Sequence, residues 1–196
     1  MKFTLLFLFL ATANFSYSQF GEPYRATEIV LHSGDTLTGM GKTKNKGFKF
    51  RSGSAEKPYY IEYSAIDFIQ QKFSGKEWKT FKFFQTNNSD KFIRVEELMV
   101  GGPLELYAIV ATGNAAVAGG FSFPVTTVTN YLKKSDEEKL TEIGIYDPVF
   151  SDYTSKVKNY FSDCPKLLEQ IENKKLRFRD GLEKMVEFYN NNCALE

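Results

Sequence analysis

Residues 28–40 read EIVLHSGDTLTGM: a β-branched and aliphatic run from Glu28 to Leu31, a turn at Ser33, Gly34 and Asp35, and a second run from Thr36 to Met40. Gly and Asp supply turn backbone that a strand interior disfavours, so the stretch reads as a β-hairpin. The pattern continues downstream. A lysine-rich tip from Lys42 to Lys46, closed by Gly47, leads into Phe48, Lys49, Phe50 and Arg51, which alternate apolar and charged with the period of a half-buried strand. Tyr59 to Tyr63 and Ile66 to Lys72 read as further strands, and Ser74 to Glu77 turns the chain into Trp78 to Phe84. Short strands at this spacing, each ending in turn chemistry, predict a small antiparallel β-barrel-like module over residues 19–84.

Residues 85–145 carry a second set of antiparallel strands, as hairpins or a meander. A polar break from Gln85 to Asp90 precedes Phe92 to Val100, and the cluster Gly101, Gly102 and Pro103 then leads into Leu104 to Ala111, a hairpin pattern. Phe92 to Met99 also fits a short helix between Asp90 and Gly101, and periodicity does not decide between the two. Two strands are expected around Ala116 to Phe123 and Val125 to Leu132, with Pro124 arguing against one continuous central strand. Ser135 with Glu138 is a capping-box pattern, predicting a turn of helix there.

Over residues 146–196 the period becomes helical. Val149, Phe150, Tyr153, Val157, Tyr160 and Phe161 form one apolar stripe, Pro165 opens a second helix carrying Leu167, Leu168 and Ile171, and a third is expected after Asn173. The expected class is therefore α+β: a barrel-like N-terminal module, further antiparallel strands, and C-terminal helices.

Ahead of these elements, Lys2 precedes an apolar run from Phe3 to Ala13. Residues 1–18 read as a cleavable signal peptide, with Ser16 and Ser18 as the small residues before a cut at Gln19. The run is shorter than the about 20 residues a membrane span needs, and the first cysteine is far from the cut, so the expected product is soluble, periplasmic or secreted, with no transmembrane segment. Lys and Arg number 25 against 24 Asp and Glu, and loss of Lys2 leaves a formally neutral chain. Neutrality and export both argue against a nucleic-acid partner.

Export also gives the two cysteines a meaning. Cys164 opens the second helix and Cys193 follows the third, so an antiparallel helical hairpin places them side by side and predicts a disulfide in an oxidising compartment. Two unpaired thiols are the alternative. The spacing is far from a Cys-x-x-Cys redox motif.

Gly34, Asp35, Thr36, Leu37 and Gly39, then Val100, Gly101, Leu104 to Tyr107 and Tyr131 to Lys133, then Tyr160, Phe161, Asp163, Cys164 and Pro165, and finally Tyr189, Asn190 and Cys193 occur in an order that resembles a group of uncharacterised exported proteins of Bacteroidetes-type bacteria. The resemblance spans most of the chain after residue 18 and implies export without implying an activity. The first module also looks like the small barrels of SH3 or Sm type, a similarity of shape that implies no function.

Enzyme signatures are sparse. His32 is the only histidine and sits beside the Ser33–Gly34 turn, as a solvated hairpin residue would. No Gly-x-Ser-x-Gly elbow, EF-hand pattern or zinc ligand set occurs, and Gly119 and Gly120 lack what a phosphate loop requires, so no cofactor or metal is expected. Carboxylate-pair hydrolysis of a glycan or peptide needs only two acids and stays open as the alternative. The preferred reading is a non-catalytic binding or structural protein whose partner is an envelope protein or a glycan. Lys76, Trp78 and Lys79 are the candidate ligand contacts, since a tryptophan flanked by lysines can stack on a sugar or grip an anion. Asp35, Thr36 and Leu37 match the Asp-Thr-aliphatic pattern of O-glycosylation in such bacteria, making Thr36 a candidate modification site.

Overall fold

The computed structural model describes residues 22–73, 77–116, 122–146 and 152–193. Residues 1–18, expected from the sequence to be a signal peptide cut after Ser18, lie outside the described residues. Among the described residues ten strands form one antiparallel sheet: β1 (Arg25–Leu31), β2 (Thr36–Lys44), β3 (Gly47–Arg51), β4 (Tyr59–Ile61), β5 (Ile66–Lys72), β6 (Trp78–Thr86), β7 (Ser89–Met99), β8 (Leu104–Ala116), β9 (Ser122–Lys134) and β10 (Thr141–Gly144). Their order is β10-β9-β8-β7-β6-β5-β1-β2-β3-β4.

The expected barrel does not form. After β4 a 3-10 turn at Tyr63–Ala65 returns the chain to the edge of β1, where β5 pairs Ile69 with Ile29. The other edge of β5 is taken by β6, with Ile69 opposite Phe81, so the sheet runs on instead of closing. Phe81 and Phe83 of β6 fill the same core as Ile29, Phe48, Phe50, Ile61, Tyr63, Ile66 and Ile69. Period-two patterning marks which face of a strand is buried but says nothing about what stands at its edges. The polar stretch after Phe84 is the tight turn of the β6–β7 hairpin, with Thr86 opposite Ser89.

Two glycines in β2 let this first core close. A Cβ at Gly39 would lie 2.3 Å from the carbonyl oxygen of Arg51 and 2.7 Å from the Phe50 ring, and one at Gly41 would lie 2.2 Å from the Phe48 ring. The aromatic rings of β3 therefore rest directly on the β2 backbone.

Phe92 to Met99 is strand, within β7, and Gly101 at φ +82° turns the chain into β8. β9 runs straight through Pro124, because β10 pairs only with Asn130 to Leu132 and the proline sits where β9 has β8 alone as a described neighbour. No helix starts at Ser135. The chain turns there instead, and Leu140 makes an isolated bridge to Thr86 that folds this half of the sheet around Val95, Tyr107, Tyr131 and Leu140.

The opposite face of the same strands receives the helices α1 (Tyr153–Tyr160), α2 (Pro165–Glu172) and α3 (Glu183–Asn192). Leu104 and Leu106 of β8, Leu132 of β9 and Ile143 of β10 pack against Tyr153, Val157, Phe161, Leu167, Ile171, Leu182, Met185 and Val186. α3 begins later than its apolar stripe suggests. Lys174 at φ 58° ends α2, a 3-10 turn covers Phe178–Asp180, and Gly181 at φ +90° precedes the helix.

The C-terminal motif residues fasten these helices down. A disulfide joins Cys164 to Cys193, with Cα atoms 5.7 Å apart. The Asp163 carboxylate accepts from Tyr189 Oη and Lys134 Nζ, both at 2.7 Å, and Glu137 accepts from Tyr160 Oη at 2.7 Å and the Lys134 N–H at 2.9 Å. The Asn190 amide acts as a substitute strand: its Oδ1 accepts from the Leu104 N–H at 2.8 Å and its Nδ2 donates to the Leu104 carbonyl at 2.9 Å. Gly102 leaves room for that amide, since a Cβ there would lie 2.5 Å from Asn190 Nδ2.

Candidate functional site

The period-two alternation of β7 puts Arg94 on the sheet face that carries Phe81, with the guanidinium 4.8 Å from that ring. Arg94 Nη1 donates to Glu22 Oε1 at 2.9 Å, Thr43 Oγ1 at 3.0 Å and Gln71 Oε1 at 3.1 Å. Gln71 is fully buried and passes the network inward, its Nε2 donating to Thr27 Oγ1 at 3.0 Å and the Gly41 carbonyl at 3.2 Å. Four strands, β1, β2, β5 and β7, and the segment at Glu22 are tied together by these hydrogen bonds, which makes a rigid support.

Two members of this network, Glu22 and Thr43, also line a cleft of about 620 Å³, together with Lys44, Asn45, Tyr63, Asp90, Lys91 and Phe92. The β2–β3 turn forms one wall. Tyr63 pins that turn by donating its hydroxyl to the Lys44 carbonyl at 2.6 Å and accepting the Lys44 N–H at 3.2 Å. Its ring stacks on Phe83 at 4.3 Å, and burial holds its phenol above the ordinary value. Phe92 forms the other wall, its ring 5.9 Å from that of Tyr63 and 37% of its surface exposed. Both carboxylates at the cleft are engaged: Glu22 holds Arg94 and accepts the Thr43 N–H, and Asp90 holds Lys139 at 2.8 Å, which lowers its pKa. An exposed aromatic ring, the Asn45 amide and the lysines Lys44 and Lys91 thus converge on a concave surface of ligand size.

The sequence-derived candidates lie elsewhere. Lys76 falls outside the described residues. Trp78 stands at the start of β6 opposite Lys72 and is 47% exposed. Lys79, its neighbour along the strand, projects to the other face of the sheet and gives its ammonium to Glu96 at 2.9 Å, a hydrogen bond that raises its pKa. The tryptophan and that lysine are therefore not brought together. Thr36 is exposed at the first position of β2, beside an Asp35 carboxylate that accepts from Ser33 Oγ at 2.8 Å. His32 is exposed in the β1–β2 turn.

Arg94 and Gln71 carried no distinguishing mark in the sequence. Each is a polar residue on the strand face that carries Ile69, Phe81 and Phe83, and no spacing in the chain announces that they meet. Among the described residues no group of three or more His, Cys, Asp or Glu side chains gathers as a metal site would require, and no helix is long and apolar enough to cross a membrane. Comparison with protein-family models, curated proteins and solved structures finds no match for this chain.

Proposed function

We propose that this is a non-catalytic binding protein of the bacterial envelope, and that the cleft between the β2–β3 turn and Phe92 holds a glycan. Phe92 carries the reading. Its exposed ring offers an apolar face to a sugar, while Asn45, Thr43, Lys44 and Lys91 offer donors and acceptors for ring hydroxyls from walls that the buried network holds in place. Export fits the signal-peptide pattern of residues 1–18 with cleavage after Ser18. It also fits the Cys164–Cys193 bridge, since disulfides persist in oxidising compartments. The order of motifs supports grouping the chain with the exported proteins of Bacteroidetes-type bacteria that it resembles.

Hydrolysis is the less favoured reading, because Glu22 and Asp90 are each committed to a cation whereas an acid–base pair needs carboxyls that face the substrate. A glycan array followed by calorimetry on the best ligand tests the proposal. Phe92→Ala and Asn45→Ala should each weaken binding by roughly tenfold or more, and Trp78→Ala should leave it unchanged. Loss of binding in Trp78→Ala alone would move the site to β6, and release of new reducing ends would make the protein a hydrolase.

A further inference from the structure

The β8–β9 hairpin outruns the sheet. Among the described residues β7 last pairs with β8 at Ala108, and β10 reaches along β9 only to Asn130. Beyond those points Ile109 to Ala116 pair solely with Ser122 to Thr129, a two-stranded arm of about 27 Å at about 3.4 Å per residue. Among the described residues nothing pairs with either edge there, and Val110, Val128 and Phe123 are exposed at 46%, 37% and 49%. Residues 109–129 contain no charged side chain, in a chain of which a quarter is charged.

Bare edges of this length normally carry a lysine, a proline or a bulge that blocks pairing with other chains. The sheet's own end strands, β4 and β10, are only three and four residues long. The outer strand of the arm, β9, has Pro124. β8 has neither charge nor proline over residues 109–116, so its edge is unguarded.

The geometry points to a second copy of this chain as the occupant, paired antiparallel through the 109–116 edge of β8 about a two-fold axis. An antiparallel edge is complementary to itself under such an axis, and every residue pair it creates here is uncharged. The arm already pairs like with like inside one chain, Val110 opposite Val128 and Thr112 opposite Thr126. A lipid bilayer suits it less, because a lone hairpin would carry its unpaired backbone groups into hydrocarbon.

Sedimentation equilibrium of the protein, purified in the form in which it accumulates in cells, tests the pairing. A dimer is expected, and the double variant Val110→Lys/Thr112→Lys should weaken it about tenfold or more by setting like charges across the axis. Both positions are exposed, so far-UV circular dichroism should not change. Thr126→Lys, on β9, should leave the dimer intact. A monomer at every accessible concentration, a dimer indifferent to the β8 lysines, a dimer lost equally in Thr126→Lys, or a monomer that co-floats with phosphatidylethanolamine–phosphatidylglycerol vesicles would each overturn the proposal.

Discussion

Replacing Asn190 with alanine should cost this protein about 2–4 kcal/mol of stability, although the substitution removes only one half-buried side chain. The amide supplies an acceptor and a donor to the backbone of Leu104, at 2.8 and 2.9 Å. Leu104 is fully buried, and β7 ends its pairing with β8 at Leu106, so no neighbouring strand takes over. Each hydrogen bond contributes only about 1 kcal/mol net, but a buried peptide group left without a partner costs about 1–3 kcal/mol. Two such groups, partly rescued by water reaching the vacated volume, give the stated range, or a fall of about 5–15 °C in melting temperature for a domain of this size. Urea unfolding of the oxidised protein, followed by circular dichroism, measures it. Asn190→Asp should be no better, because a carboxylate oxygen would then face the Leu104 carbonyl. A loss below about 0.5 kcal/mol in Asn190→Ala, or a fully stable Asn190→Asp, would refute the reading of this amide as a substitute strand.

Cys164→Ser/Cys193→Ser opens a loop of 29 residues and should lower stability by about 3.6 kcal/mol in the chain-entropy description, visible as a lower urea midpoint; an unchanged midpoint would count against the bridge as a staple. Gly39→Ala should destabilise by about 2 kcal/mol or more, since the added methyl meets the Arg51 carbonyl and the Phe50 ring, whereas Gly113→Ala, with open space around it, should be close to neutral in the same thermal melt. Asp163 has a lowered pKa: partial burial acts to raise it, but the hydrogen bonds from Lys134 and Tyr189 prevail. Its contribution is complete above the ordinary aspartate value of about 3.9 and fades as pH falls below it, so acid should destabilise wild type more steeply than Asp163→Asn. Burial raises the phenols of Tyr107, Tyr160 and Tyr189 and pushes Tyr153 up to about 12. Because the unfolded phenols ionise near about 10, stability should fall as pH rises past that point, and ultraviolet titration should show these tyrosines ionising together with unfolding; early ionisation in the folded protein would contradict their burial.

Local chemistry was legible in the sequence wherever local rules govern it. Ser33, Gly34 and Asp35 make the β1–β2 turn because their backbone preferences allow little else, with Gly34 at φ +90°. The alternation of Phe48 and Phe50 with Lys49 and Arg51 marked a buried face, and the stripe through Tyr153, Val157 and Phe161 marked a helix. The cysteine pairing followed from two helices folding back on each other. What stands beside each strand was not legible, since an edge is a row of backbone groups that looks the same in every sequence. The occupation of β5 by β6 turned an expected barrel into an open ten-stranded sheet, and the divergence of β7 from β8 at the Glu96–Ala108 pair left the β8–β9 arm with no further partner among the described residues.

The candidate site divides in the same way. The exposure of Trp78 and the chemistry of the lysines near it could be read from residue type, but strand alternation sends Lys79 to the opposite face and into Glu96. Arg94, Gln71 and Glu22 are separated by tens of residues and meet only because the sheet curls, so no spacing announces them. By itself the sequence determined the turns, the buried faces, the helical tail and the cysteines that staple it, because these depend on residues close in the chain or on side-chain polarity. Only the tertiary structure decided the strand order, the open edge of the arm and the polar network beside the cleft, because these depend on which backbone groups and side chains distant in sequence are brought within hydrogen-bonding reach.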